Sequence, residues 1–512
     1  MKRIYSLKKV SLAIMVVLLN ACTSGFDELN TNPSMVTKEV MKPEMLLTSV
    51  LKNSIFEVHG SGLVHEWAGY YSNPATVPLA NRNWADPFMA HYRNYVLNIA
   101  EAARLSEQEP LRANQHAIAR IWRVWVFHQL TDAYGDIPYF QSGLDVADAV
   151  NAPVYDSQEA IYQDLLNELK VTAAMLSDDP NMIPYGAADI LFQGNIDKWR
   201  RFANSLRLRL AMRVRYASPE LAKEHVLDVI DKPLIDSNLF NAALTTEGEG
   251  AANVNNRNPF YNRSISNTVP LYASLTTSEN LLKRNDPRLE IYLTPAPEPQ
   301  DGAIWRGRPL AVDLEQEEGW SGSGYYVQEH IASAGAYFLK PVYSIMVLNA
   351  AEVSLLRAEA ALAGFTTEDK NALLKDGIRK SLEYYQVNAE QIEIYLASDF
   401  LQLDSSEEEQ LEEIIVQKWL ANYYQGNESW AEYRRTGYPL IWVGKQSNDT
   451  GQTIPRRMTY PDDEYFKNET NVRSAVERMS NGDSYASRVW WDKKPGLPFS
   501  HPRQGQFPPD IY

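Results

Sequence analysis

The sequence contains one cysteine, Cys22, in 512 residues, so neither an internal disulfide nor a thiolate metal cluster can form. Positive charge is scarce: 49 Lys and Arg stand against 65 Asp and Glu, for a net charge of −16 and a pI near 5.1. A nucleic-acid partner requires a basic footprint, so that class is excluded. Long hydrophobic runs are also lacking. The one candidate, Val10 to Leu19, is too short to cross a bilayer as a helix, and the mean hydropathy is −0.38. A multi-pass membrane protein is ruled out. No glycine-rich phosphate loop followed by Lys occurs, and no G-x-S-x-G turn. His65-Glu66 lacks a second His four positions after the first, so a zincin helix is unsupported, and the eight histidines are scattered. These gaps lead to three expectations: no catalytic residues, no metal and no cofactor.

The lone cysteine gives the chain an address. Lys2, Arg3, Lys8 and Lys9 precede the Val10 to Leu19 run, and Leu19-Asn20-Ala21-Cys22 follows. A small residue before the cut and cysteine after it is similar to the lipobox of bacterial lipoproteins. Residues 1–21 therefore read as a lipoprotein signal peptide, Cys22 as the lipidation site, and 22–512 as one domain. Acyl chains on Cys22 would anchor the chain stably, since each buried methylene contributes about 0.8 kcal/mol. Losing the leader removes four positive charges, so the expected anchor is lipid and not a basic patch. Asp27-Glu28, soon after the cysteine, resembles the acidic tag that routes lipoproteins to the outer face of the outer membrane.

Helical periodicity dominates the rest. The spacing predicts helices over 115–134, closed by Gly135; over 199–216, closed by Pro219; over 347–362, with an alanine-rich face; and over 411–424, opened by the pair Ser406 and Glu409. In the second of these, Arg200, Arg207, Arg209 and Arg213 fall off the apolar stripe and are expected on other faces. Each stripe is too narrow to be stable alone, so the helices are expected to pack in pairs. Between them run long irregular stretches, roughly 70–86, 236–270, 294–335 and 437 to the end, rich in Gly, Pro, Asn and aromatics. Loops of that length in a compact chain usually carry function.

The aromatic bias is informative. Tyr (29) outnumbers Phe (15) nearly two to one, and Trp reaches 12. Tyr and Trp join a flat apolar face to a hydrogen-bonding edge, which suits a sugar ring. Several fall in the irregular stretches, and Trp67, Tyr71, Trp84, Trp305, Trp320 and Tyr325 are the candidate ligand-binding residues. The competing reading is that such rings pin loops to the body.

Ordered blocks along the chain then resemble a known family. Phe26-Asp27-Glu28-Leu29-Asn30-Thr31-Asn32-Pro33 is followed by Ile121-Trp122-Arg123 and Leu130-Thr131-Asp132-Ala133-Tyr134-Gly135-Asp136-Ile137-Pro138-Tyr139. Trp199 to Arg213, Asp286-Pro287-Arg288-Leu289 and Ala351-Glu352 through Ala358-Glu359-Ala360 come next. Gln417-Lys418-Trp419, the stretch Trp430 to Pro439, and Arg488-Val489-Trp490-Trp491-Asp492 close the set. In order and content these blocks are similar to the SusD/RagB family of nutrient-binding outer-membrane lipoproteins, SusD-like subfamily.

The resemblance implies a mostly α fold: a superhelical scaffold of tetratricopeptide-like helix pairs, with a long-loop, irregular half that binds ligand. It implies no enzyme but a hinged lid that captures oligosaccharide at the cell surface. On that resemblance the lid would deliver its ligand to a SusC-like TonB-dependent outer-membrane barrel. The motif blocks themselves read as structural: Tyr134-Gly135-Asp136 as a helix stop, Asp286-Pro287 as a turn or helix start, Arg434-Arg435 near Glu432 as an ion-pair cluster. Two alternatives stay open, a peptide-binding or protein-interaction scaffold and, less favoured, a surface glycoside hydrolase, since carboxylate pairs are plentiful.

Overall fold

The computed structural model of the chain describes residues 41–72, 85–266, 271–300, 302–312, 328–444 and 453–504. Cys22 and the leader lie outside them. The fold is mostly helical. Its scaffold helices are α1 (Pro43–Gly60), α2 (Gly62–Trp67), α3 (Leu97–Glu107), α4 (Ala113–Tyr134), α5 (Gln158–Met175), α6 (Ile196–Arg213) and α7 (Pro219–Val229). Later in the chain come α8 (Ala350–Leu362), α9 (Lys370–Tyr384), α10 (Glu407–Ala421) and α11 (Gly426–Thr436).

Local chemistry sets the helix starts. The side chains of Ser157, Asn195, Asn349 and Asp369 accept first-turn amides of α5, α6, α8 and α9, caps worth about 1 kcal/mol each. Ser406 and Glu409 form the expected reciprocal box at the start of α10. The stops are equally local: α4 ends at Gly135, whose φ of 86° suits glycine. One boundary differs from the periodicity. Residues 347–348 belong to the strand Ser344–Leu348, and Asn349 starts the helix only at Ala350.

Neighbours in sequence pack as tetratricopeptide-like pairs: α3 on α4, α4 on α5, α5 on α6, α6 on α7, and α8 on both α9 and α10. The alanine-rich face of α8 allows close approach. A Cβ on Gly377 of α9 would meet the Leu355 side chain at 2.7 Å and the Ala351 carbonyl at 3.0 Å.

The centre of the scaffold holds charge. Arg207, Arg209 and Arg213, expected off the apolar stripe of α6, are buried. Arg209 pairs with Glu352 at 2.6 Å, and Arg213 with Glu428 at 2.6 Å and Glu432 at 2.7 Å. Arg435 meets Glu359 at 2.6 Å and also Glu432; Arg215 shares Glu359, and Lys418 shares Glu432. Burying an ion costs several kcal/mol unless it is paired, and here α6, α8, α10 and α11 supply the partners for one another. Arg434 is handled differently. It stacks 3.5 Å from the Trp430 ring centre, donates to the Asp132 and Arg456 carbonyls, and is pulled down by burial to a pKa of about 9.

The irregular half is built on short strands. Tyr71–Ser72, Tyr272–Ala273, Ser333–Ala334 and Leu293–Thr294 form a four-stranded antiparallel sheet in that order. Ala242–Thr245 pairs with Ser344–Leu348, and Ile137–Pro138 with Tyr155–Asp156. Two stretches expected to be irregular contain helices: Pro259–Ser266 in one, Asp462–Lys467 and Glu469–Glu477 in the other. Among the described residues no helix is long and apolar enough to cross a membrane.

Candidate functional site

An open cleft of about 620 Å³ lies beside the four-stranded sheet. One wall is the short helix Leu289–Tyr292 and the strand Leu293–Thr294; the opposite wall is the 3-10 turn Ala336–Leu339, with Tyr385 and Gln386 from the end of α9. Trp305 enters from the loop between these elements.

The backbone fixes each ring. Ala296 N donates to the Ile304 carbonyl at 2.8 Å, and Ala332 N to that of Arg306 at 2.8 Å, so the chain is held on both sides of Trp305. Gly335 lets the 3-10 turn sit against the facing helix: its N–H donates to the Tyr292 carbonyl at 2.8 Å, and a Cβ there would lie 2.1 Å from the Ile291 oxygen. Only glycine fits so close an approach. At the end of α9, Gln386 takes a φ of 60°, and Val387 N closes back on the Leu382 carbonyl, which turns Tyr385 and Gln386 into the cleft.

Trp305 and Tyr337 are half-buried, so each keeps ring surface open to solvent. Tyr337 stands edge-on to Tyr385 with centroids 5.4 Å apart, and the exposed Lys340 ammonium lies 5.0 Å from the Tyr337 ring centre. Burial pushes the Tyr337 and Tyr385 phenols up, so both remain neutral hydroxyls at neutral pH. Glu290, Thr294 and Gln386 supply acceptors and donors at the rim. Two flat apolar faces with a hydrogen-bonding rim can hold a ring that is apolar on its faces and polar at its edge.

The six sequence candidates divide three ways. Trp305 lines the cleft. Trp84, Trp320 and Tyr325 lie outside the described residues. Trp67 and Tyr71 are corrected: both are core. Trp67 has no exposed surface and packs on Trp430 at 4.8 Å between ring centres. Tyr71 is 1% exposed, donates to the Gly62 carbonyl at 2.6 Å, and is enclosed by His65, Phe260 and Tyr424. A ring with no free face cannot stack on a ligand. Sequence reasoning missed Tyr337, Tyr385, Lys340 and Gln386; no local signal marks them, since a 3-10 turn and the end of a distant helix bring them together.

The comparisons bear on this geometry. The profile of the SusD-like family, described as "starch-binding associating with outer membrane", matches residues 36–461. The chain belongs to the SusD-like family. This is a family of binding proteins, so the chain is a binding protein and not an enzyme. Among solved structures, a chitin-binding protein is similar at 25% identity and a TM-score of 0.77, covering 88% of this chain and 100% of its own. A SusD homolog from Bacteroides uniformis is 26% identical with a TM-score of 0.74, covering 88% of this chain and 99% of its own. A SusD homolog from Bacteroides fragilis is 26% identical with a TM-score of 0.73, covering 89% and 100%. Among curated proteins none matches by sequence. In this SusD-like chain Trp305 and Tyr337, the half-buried rings of the cleft, lie outside the scaffold helices.

Proposed function

We propose that this SusD-like protein captures oligosaccharide in the Trp305 cleft and hands it to a SusC-like TonB-dependent barrel in the outer membrane. The observation that carries the reading is the pair of half-open rings, Trp305 and Tyr337, facing one cleft with a polar rim. Cys22 holds the protein to the outer membrane through its lipid, with the cleft on the cell exterior.

Trp84, Trp320 and Tyr325, outside the described residues, belong to the proposed ligand contacts as aromatic residues of the irregular stretches.

Chitin oligosaccharides are the first ligands to titrate, given the chitin-binding relative of the same fold; starch and peptide ligands serve as comparison. Saccharide binding that weakens in Trp305→Ala, Trp84→Ala or Trp320→Ala is the expected result. A response to peptides alone would replace the saccharide reading. For the partner, a C-terminally tagged chain purified from native outer membrane in mild detergent should bring down a large β-barrel in near-equal amount. Its absence would contradict the lid role.

A further inference from the structure

A second cleft, of about 400 Å³, opens where the turn after α4 meets the start of α5 and the segment 478–493. Its charge runs against that of the chain. Arg457, Arg478, Arg488 and Lys493 line it, in a protein whose net charge is −16. Three carboxylates share the lining, and two are fully engaged. Asp136 accepts the Gln158 amide at 2.8 Å and Arg478 Nε at 2.6 Å. Asp492 accepts both Arg456 Nε, at 2.9 Å, and Arg488 Nη2, at 2.7 Å. Glu159, exposed on the rim, is the third. Arg457 is taken up by the Tyr134 carbonyl and Asp483.

The groups left over are cationic. Arg488 Nε is buried with no hydrogen-bond partner, and Lys493 is exposed with no ion pair among the described residues. Trp490, half-buried, forms one wall of the same cleft. The first turn of α5 borders the cleft, its Gln158 amide held by Asp136 and its Ala160 amide by the Ser157 hydroxyl. A ring wall beside an unpaired lysine, and an arginine that keeps its Nε free while its Nη2 holds Asp492, fits a ligand that has an apolar face and a negative charge together.

We infer that this cleft binds an anionic saccharide residue, bearing a carboxylate or a sulfate, with the charged group at Arg488 and Lys493 and a sugar face on Trp490. It shares no lining residue with the Trp305 cleft, so it is a second site. The inference rests on the saccharide-binding reading above, and the test separates the two.

Trigalacturonate and its neutral methyl ester are titrated calorimetrically into the mature protein, with a sulfated disaccharide alongside to tell carboxylate from sulfate. The acid should bind at least tenfold more tightly than the ester at low salt, and the gap should shrink as salt screens it. Lys493→Gln should cut that preference at least threefold, and Arg488→Gln more, whereas Trp305→Ala should leave it intact. Because Arg488 also holds Asp492, Lys493→Gln decides the matter if Arg488→Gln fails to fold. Equal affinity for acid and ester, an unchanged preference in Lys493→Gln, or its loss in Trp305→Ala would each overturn the inference. Loss of neutral-saccharide binding with the acid preference intact would sink the Trp305 reading and leave this one standing.

Discussion

At the centre of the helical scaffold, large polar and aromatic side chains are closed off from water; in the strand-built half, a few are left half open. Trp67 and Trp305 make the contrast concrete. Trp67 ends a helix and is sealed against Trp430, while Trp305 sits in a loop pinned on both sides and keeps part of its ring free. The charges differ in the same way. Arg213 and Glu432 are buried between helices and satisfy one another, whereas Lys340 lies exposed over Tyr337. The scaffold uses these residue types to hold shape, and the strand-built half uses them to present a surface. A side chain's role follows from what encloses it more than from its type.

Substitutions in the scaffold should carry the greatest cost in stability. Trp67→Ala opens a cavity in a sealed site and should cost about 3–5 kcal/mol in urea denaturation. Any saccharide affinity of the fraction that stays folded should be unchanged. Glu432→Gln leaves Arg213, Lys418 and Arg435 short of an anion, and breaking a buried pair should also cost about 3–5 kcal/mol. A loss below about 1 kcal/mol in that variant would mean that the central ion pairs contribute little to the fold.

Acid should act on the scaffold next. His59 is enclosed by Phe260 and Tyr343, and burial lowers its pKa to about 3; burial lowers His65 and His128 as well. The unfolded chain takes up these protons near pH 6.5 and the folded chain does not, so stability present above pH 6.5 is lost progressively toward pH 3. The buried carboxylates add a second loss. Burial alone would raise Glu432 and Glu359, but the surrounding guanidiniums and the Lys418 ammonium outweigh it and hold both below the usual range. Their contribution is present above about pH 4.5 and disappears as the pH falls further. Thermal unfolding followed from pH 7 to pH 4 should show a falling Tm, and His59→Phe should flatten the upper part of that fall.

Much of the scaffold was legible in the sequence because its signals are local. Ser406 and Glu409 sit three residues apart and close the box they suggested, and Gly135 stops α4 where the apolar spacing ends. The burial of Arg209 was not legible, since its partner Glu352 lies 143 residues away. The same distance problem hid the fate of Trp67 and Tyr71, which are covered by Trp430, Phe260 and Tyr424 from remote parts of the chain. Of the cleft, Trp305 was readable because an irregular stretch carries it. Tyr337 and Tyr385 were not, since a 3-10 turn and a helix end bring them across from separate segments.

The smallest expected change in stability belongs to the residue that matters most for binding. Trp305→Ala should leave urea stability within about 1 kcal/mol of the parent, while weakening oligosaccharide affinity roughly tenfold, the loss of one stacked ring. Calorimetric titration of that variant beside the parent, with the same chitin or starch oligosaccharide, decides whether the Trp305 cleft captures saccharide. A tenfold weaker Kd with an unchanged unfolding midpoint is the result predicted. An unchanged Kd would contradict the assignment of the Trp305 cleft as the capture site.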